Sequence, residues 1–341
     1  MVRGMFRCLP ALLALGALCA CQGGTQSAIP GQYAGAQALP STRPTTRPTV
    51  QPSSSPGILG CPYPSGDVYQ TSIANASPES MSAKYIAATL AGGGGGGFQA
   101  WVSLQDINSA TNSTPLLTVK PGNSYDHPYS PIPWTSSFFI EKDGDHHSEV
   151  INTQSCQYYE GYLTYYYQSG NYLSMYNNEH IDLTKPFVQP QSGALSTATG
   201  IPLGLLAVRP EELTAGVIGH AIGWNAVSHS LNGVAGAPCV SPAGKAHCTD
   251  GNAYRGPGSD SPMPYGSHAR LKSSFNISGF SREAKIVALA MQQYGLYVYD
   301  TGCCNAIILA KDSSGTPVWT STDAKNLATI NPGDFDIVSP P

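Results

Sequence analysis

Asp145-His146-His147 opens the densest run of chemically useful side chains in this chain. If a strand starts there, period-two alternation sets Asp145, His147 and Glu149 on one face and His146, Ser148 and Val150 on the other. An acid and an imidazole two residues apart on one face reach a common ligand. A hairpin turn near Gln154 would bring Tyr158, Tyr159 and Glu160 alongside. His220 sits in the apolar run Gly219-His220-Ala221-Ile222, and Asp300 follows the apolar segment 296–299. Carboxylates in pairs are general acid–base equipment. Glycoside hydrolysis needs two, about 5–5.5 Å apart for retention and farther for inversion. Asp145, Glu160 and Asp300 are the candidate acids, with His147 or His220 holding one in the required ionisation state. In a lyase variant, His220 or a tyrosine removes the C5 proton of a uronate while Arg270 neutralises its carboxylate. Tyr159 and Tyr297 are candidates to line the substrate. Each residue also has an ordinary reading. Asp145 can cap a turn, Asp300 can serve the Asp-Thr-Gly turn, and a strand histidine is often a satisfied core residue.

Other chemistries lack their signatures. No Gly-x-Ser-x-Gly nucleophile elbow and no His-Glu-x-x-His zinc motif occurs. No metal centre or cofactor is expected, although Asp143-Gly144-Asp145 or Asp250-Gly251-Asn252 could supply oxygens to a structural calcium outside EF-hand spacing. Gly92 to Gly97 precede no Lys-Ser/Thr, so they form no phosphate-binding loop and read as a flexible link into a strand at 98–102.

Charged residues make up 11% of the 341 and the net charge is −4, which leaves no basic footprint for nucleic acid. Nineteen tyrosines suit a loop-rich β-protein working outside the cell, and tyrosine faces cover the apolar face of a pyranose while the hydroxyl hydrogen-bonds. The expected partner is therefore a polysaccharide or cell-wall glycan.

These residues need elements to position them. Strands are predicted at 138–140, 148–151, 157–164, 217–224 and 296–299. A helix follows Ser281, with Ala284, Val287, Ala288, Met291 and Tyr294 at helical spacing and Gly295 ending it. A short turn of helix is predicted at Pro210–Leu213. Many strands and one or two helices predict an all-β domain, a two-sheet β-sandwich of jelly-roll type.

The N-terminus carries an address. Arg3 and Arg7 precede a short apolar run from Ala11 to Ala20, too short to span a bilayer. Leu18-Cys19-Ala20-Cys21 resembles the lipobox of bacterial lipoproteins, which implies cleavage after residue 20, acylation of Cys21 and membrane attachment through that lipid alone. Residues 21–56 are rich in Pro, Thr and Ser and read as a tether, with residues 57–341 as a single domain. The protein is expected in the cell envelope, at the outer membrane or cell surface if the cell is Gram-negative. Six cysteines follow Cys21, an even number that favours disulfides in an exported chain. Cys239 and Cys248 are the natural local pair, while Cys303 and Cys304 are expected to reach other partners, Cys61 and Cys156 among them.

Several motifs recur in order. They are Asp145-x-His147, Tyr159-Glu160, Gly200-Ile201-Pro202-Leu203, Glu212 to His220-Ala221, Thr249-Asp250-Gly251, Gly266-x-x-x-Arg270-Leu271-Lys272, and Tyr294-Gly295-Leu296-Tyr297 up to Asp300-x-Gly302. The set resembles a group of exported bacterial β-sandwich proteins and covers roughly residues 143–336. Leu203-Gly204-Leu205-Leu206 departs from the group's Leu-Pro-Gly-Leu, and the segment from Cys239 to Cys248 is an insertion. The resemblance implies a carbohydrate-active protein, foremost a glycoside hydrolase, with a glycan-binding surface lipoprotein or a polysaccharide lyase as the alternatives.

Overall fold

The computed structural model describes residues 57–64, 68–101, 107–122, 129–142, 144–187, 196–197, 199–227, 263–302, 304–310 and 318–339. All of them belong to one compact unit, Gln51–Pro341. Cys21, the tether and the Cys239/Cys248 pair lie outside the described residues.

The described chain is mostly β, with fifteen strands in several sheets and five α-helices. A six-stranded mixed sheet runs in the order β1 (Gln99–Trp101), β14 (Ala306–Ile308), β11 (Ile222–Val227), β13 (Leu296–Gly302), β12 (His268–Leu271), β15 (Phe335–Val338). A four-stranded sheet has the order β10 (Asn177–Asp182), β7 (Gln157–Tyr162), β6 (Ser148–Asn152), β2 (Ile107–Ala110). A two-stranded sheet pairs β3 (Leu116–Leu117) with β5 (Ile132–Pro133). A three-stranded sheet orders β4 (Val119–Pro121), β9 (Tyr172–Met175), β8 (Tyr165–Tyr167).

Alternation sorts the core into layers. On β11 and β13, Ile222, Trp224, Ala226, Leu296 and Val298 pack with the helices α1 (Ser82–Thr89), α4 (Arg282–Gln293) and α5 (Ser321–Leu327). The opposite face sends Tyr297, Tyr299 and Ile308 into a cluster with Ile107, Ile151, Tyr158 and Ile181 of the four-stranded sheet. The short helix α2 (Leu203–Leu206) is buried in that cluster. Beyond the four-stranded sheet, Val150 and Tyr159 meet Val119, Leu173 and Met175.

Helices are more numerous than composition suggested, and β11–β13, β1–β14 and β2–β6 are parallel pairs. Parallel neighbours need a crossover, and α4 lies on the connection before β13. It runs as expected from Ser281, and Gly295, at φ 77°, turns the chain into β13. The segment 138–140 is not a strand. The Asn108 amide takes the place of a neighbouring strand by accepting from Phe139 N–H (2.7 Å) and donating to its carbonyl (2.9 Å). β11 starts at Ile222 because Val217 N–H still closes α3 (Pro210–Ala215) on Glu212, and Ala221 N–H is taken by Tyr69. Nor is the glycine run a loose link. Leu90–Gly94 continues α1 as a wide helical turn, and the Asn305 amide donates to the carbonyls of Gly94 and Gly96. A Cβ on Gly97 would lie 1.9 Å from the Ala328 carbonyl oxygen, so glycine is required there.

Cys61 is disulfide-bonded to Cys156, so neither partners Cys303 or Cys304, and Cys304 is disulfide-bonded as well. The Cys61–Cys156 bridge fastens the start of the domain to the turn between β6 and β7. No helix among the described residues is long and apolar enough to cross a membrane.

His268 makes this fold acid-sensitive. Its ring is buried, stacked 4.0 Å from Tyr297, and Nε2–H donates to the Tyr294 carbonyl at 2.7 Å. Burial lowers its pKa from 6.5 to about 4, with the Tyr294 carbonyl opposing. The unfolded chain thus takes a proton that the folded one refuses. Stability is whole above the unfolded pKa and falls as pH drops toward 4, by about 3 kcal/mol at 1.4 kcal/mol per pH unit. His268→Gln is expected to flatten the urea-unfolding stability between pH 7 and 4 by close to one proton. An unchanged slope would mean that His268 protonates without cost.

Candidate functional site

The acid–histidine segment is held at the open end of the β6–β7 hairpin. Leu163 N–H donates to the Asp145 carbonyl (2.9 Å) and Thr164 N–H to the His146 carbonyl (3.0 Å). Glu141 and His147 close a second ring, in which Glu141 N–H donates to His147 O (2.9 Å) and His147 N–H to Glu141 Oε2 (3.0 Å). Two non-glycine residues facing each other across this end, His146 and Leu163, are left-handed, at φ 50° and 49°. That conformation costs a branched side chain about 1–2 kcal/mol and survives where surroundings over-determine it, often at functional sites. The result leaves Asp145 exposed and His147 buried beside it. Burial lowers the His147 pKa to about 4 against the pull of Asp145, so its ring is neutral near pH 7.

Asp300 follows a bulge. β11 pairs Trp224 with Val298 and then Asn225 with Asp300, so Tyr299 is the extra residue. Strict alternation would send Asp300 to the helix side with Val298. The bulge breaks that alternation at Asp300, while Tyr299 packs with the four-stranded sheet. Tyr162 on β7 feels both acids. Its pKa is raised to about 12, first by burial and then by the charges of Asp145 and Asp300. Tyr162, whose ring lies 5.6 Å from that of His147, is thus the residue on which the charges of Asp145 and Asp300 both act, and sequence reasoning passed it over. Its two-residue offset from Glu160 on one strand was the available signal.

Glu160 lies one layer deeper. Hairpin register sets Glu149, Glu160 and Glu179 side by side on three neighbouring strands, all buried. Glu160 accepts from Tyr158 Oη, Ser196 Oγ, Leu203 N–H (3.0 Å) and Gly204 N–H (3.2 Å). Burial nevertheless outweighs these donors and raises its pKa. Glu179 is pushed well up, by burial and by the charge of Glu160. Glu160 thus joins β7 to α2, its oxygens already engaged. The hairpin expected from spacing brings Glu160 beside Glu149, and Glu179 is its other direct neighbour.

The remaining candidates sit elsewhere. His220 is buried, with Nε2 3.0 Å from Glu212 Oε1 and Nδ1 2.7 Å from the Ala221 carbonyl, and Glu212 also binds the buried Arg209. Arg270 donates to the carbonyls of Ile73, Ala74 and Ala76 and pairs with Asp336 (3.3 Å). Tyr297 is buried between His268 and Tyr69. Tyr159, next to Glu160, points to the other face of its sheet and stacks on His180. None of these four joins Asp145.

Beside the Asp145 segment opens a groove of about 470 Å³, lined by Ile140, Glu141, Lys142, His146, Thr164 and the three tyrosines of β8. Tyr165 and Tyr167 are 41% and 45% exposed there.

No known family model, curated protein or solved structure matches this chain. Among the described residues, no three His, Cys, Asp or Glu side chains are arranged to hold a metal ion. Asp143 and the segment Asp250–Asn252 lie outside them.

Proposed function

We propose that this is a tethered, extracytoplasmic carbohydrate-active protein, a glycoside hydrolase whose paired carboxylates are Asp145 and Asp300. The observation that supports the reading is that the charges of both acids act on Tyr162, with a tyrosine-lined groove beside the Asp145 segment. Asp145 is exposed and Asp300 half-buried. Tyr162 stays protonated under the charges of both acids, and the ring of neutral His147 packs 5.6 Å from it. The buried glutamate row braces the sheet beneath. The reading extends to the fold, where the shared apolar cluster between the six- and four-stranded sheets supports a two-sheet sandwich like that of the exported group the motifs resemble. The exposed tyrosines of β8 favour a second reading, a surface module that holds glycan without cleaving it.

The test uses the exported, oxidised domain on a panel of neutral, acidic and amino polysaccharides. New reducing ends without unsaturated-uronate absorbance are expected. Absorbance would mean a lyase, and retention on a glycan gel without cleavage would mean the binding module.

A further inference from the structure

The small three-stranded sheet has one face with no assigned role. Its inner residues, Val119, Leu173 and Met175, are buried, with Tyr166 packed against them. Alternation then turns Lys120, Tyr172, Ser174, Tyr165 and Tyr167 outward together. The register aligns them across the sheet, with Lys120 opposite Ser174, Ser174 opposite Tyr165, and Tyr172 opposite Tyr167. Tyr167 and Tyr172 stack at 4.8 Å, and the Lys120 ammonium stands 3.6 Å over the Tyr172 ring. His146 packs at 4.8 Å on Tyr165, joining this face to the groove, where Lys142 is exposed.

We infer that this face is the glycan subsite, and that its ligand is a glycan bearing anionic groups, carboxylate or sulfate. The inference rests on the carbohydrate reading above and names the class of sugar. Flat phenol faces with hydroxyl rims fit pyranose rings. The charge argument adds the anion. The chain has only 17 Lys and Arg in 341 residues, yet Lys120 and Lys142 both border this surface. Lys120 is pre-oriented by the ring beneath it, so its ammonium meets an anionic substituent of a sugar stacked on the tyrosines.

Affinity gels and calorimetry on the whole protein test it with two matched pairs, polygalacturonate against its methyl ester and dextran sulfate against dextran. Each pair keeps the backbone and removes the charge. The charged member of at least one pair is expected to bind about tenfold tighter, with affinity falling as salt rises. The pair that responds separates carboxylate from sulfate. Lys120→Gln should abolish the preference while leaving the neutral member's affinity within about twofold. Tyr165→Ala with Tyr167→Ala should weaken both members about tenfold. Equal binding of charged and neutral members, indifference to Lys120→Gln, or no glycan binding overturns the inference. Turnover of a neutral glycan with no anionic preference would defeat this inference and leave the hydrolase reading standing. Anionic binding without cleavage would do the reverse.

Discussion

Glu212→Gln is expected to destabilise the domain by about 3–5 kcal/mol, the usual loss when one partner of a buried ion pair is removed. Glu212, Arg209 and His220 are all buried, and each of the two basic side chains meets the Glu212 carboxylate. Burial alone would raise the Glu212 pKa, but His220 and Arg209 outweigh it and hold the acid below its ordinary range. The amide in Gln keeps the shape and removes the charge, leaving a guanidinium buried with weaker compensation. Because the folded pKa is depressed, this stabilisation is present above the unfolded carboxylate value and lost as pH falls through the folded one. Urea melts of Glu212→Gln, Arg209→Met and the double variant measure it. The double variant should cost less than the sum of the singles, since no charge is then left facing a missing partner. A loss under about 1 kcal/mol for Glu212→Gln would mean that water reaches this cluster in solution.

That cluster also shows what the sequence could and could not convey. The spacing from Glu212 to His220 marked an ordered motif, and the short helix at Pro210 was legible from proline in a first turn. Their meeting depends on the loop 217–221 turning back, which follows from Ala221 bonding to Tyr69, a contact 152 residues distant in the chain. The β6–β7 hairpin and α4 were readable because their periodicities are local. The bulge at Tyr299 was not, since an extra residue in β13 exists only relative to β11. Register likewise explains the glutamate row. Each acid looks isolated along the chain, and only strand pairing puts Glu149, Glu160 and Glu179 abreast.

Asp145→Asn and Asp300→Asn are each expected to lower kcat on the cleaved glycan by about 10²–10⁴, with KM nearly unchanged. The backbone carbonyl of Asp145, rather than its carboxylate, accepts the Leu163 N–H, so Asp145→Asn should keep the parent's melting temperature. Melting curves of both variants separate lost chemistry from lost fold. The pH dependence identifies the participants further. Tyr162 titrates at about 12 and His147 at about 4, so neither changes charge between about pH 5 and 9. A limb of the rate profile in that range therefore does not report on Tyr162 or His147. Tyr162→Phe removes a donor and no charge. It should reduce kcat more modestly than either Asn variant. If turnover persists in both Asn variants, the reacting carboxylates lie elsewhere and the Asp145–Tyr162–Asp300 group is a support of the hairpin end.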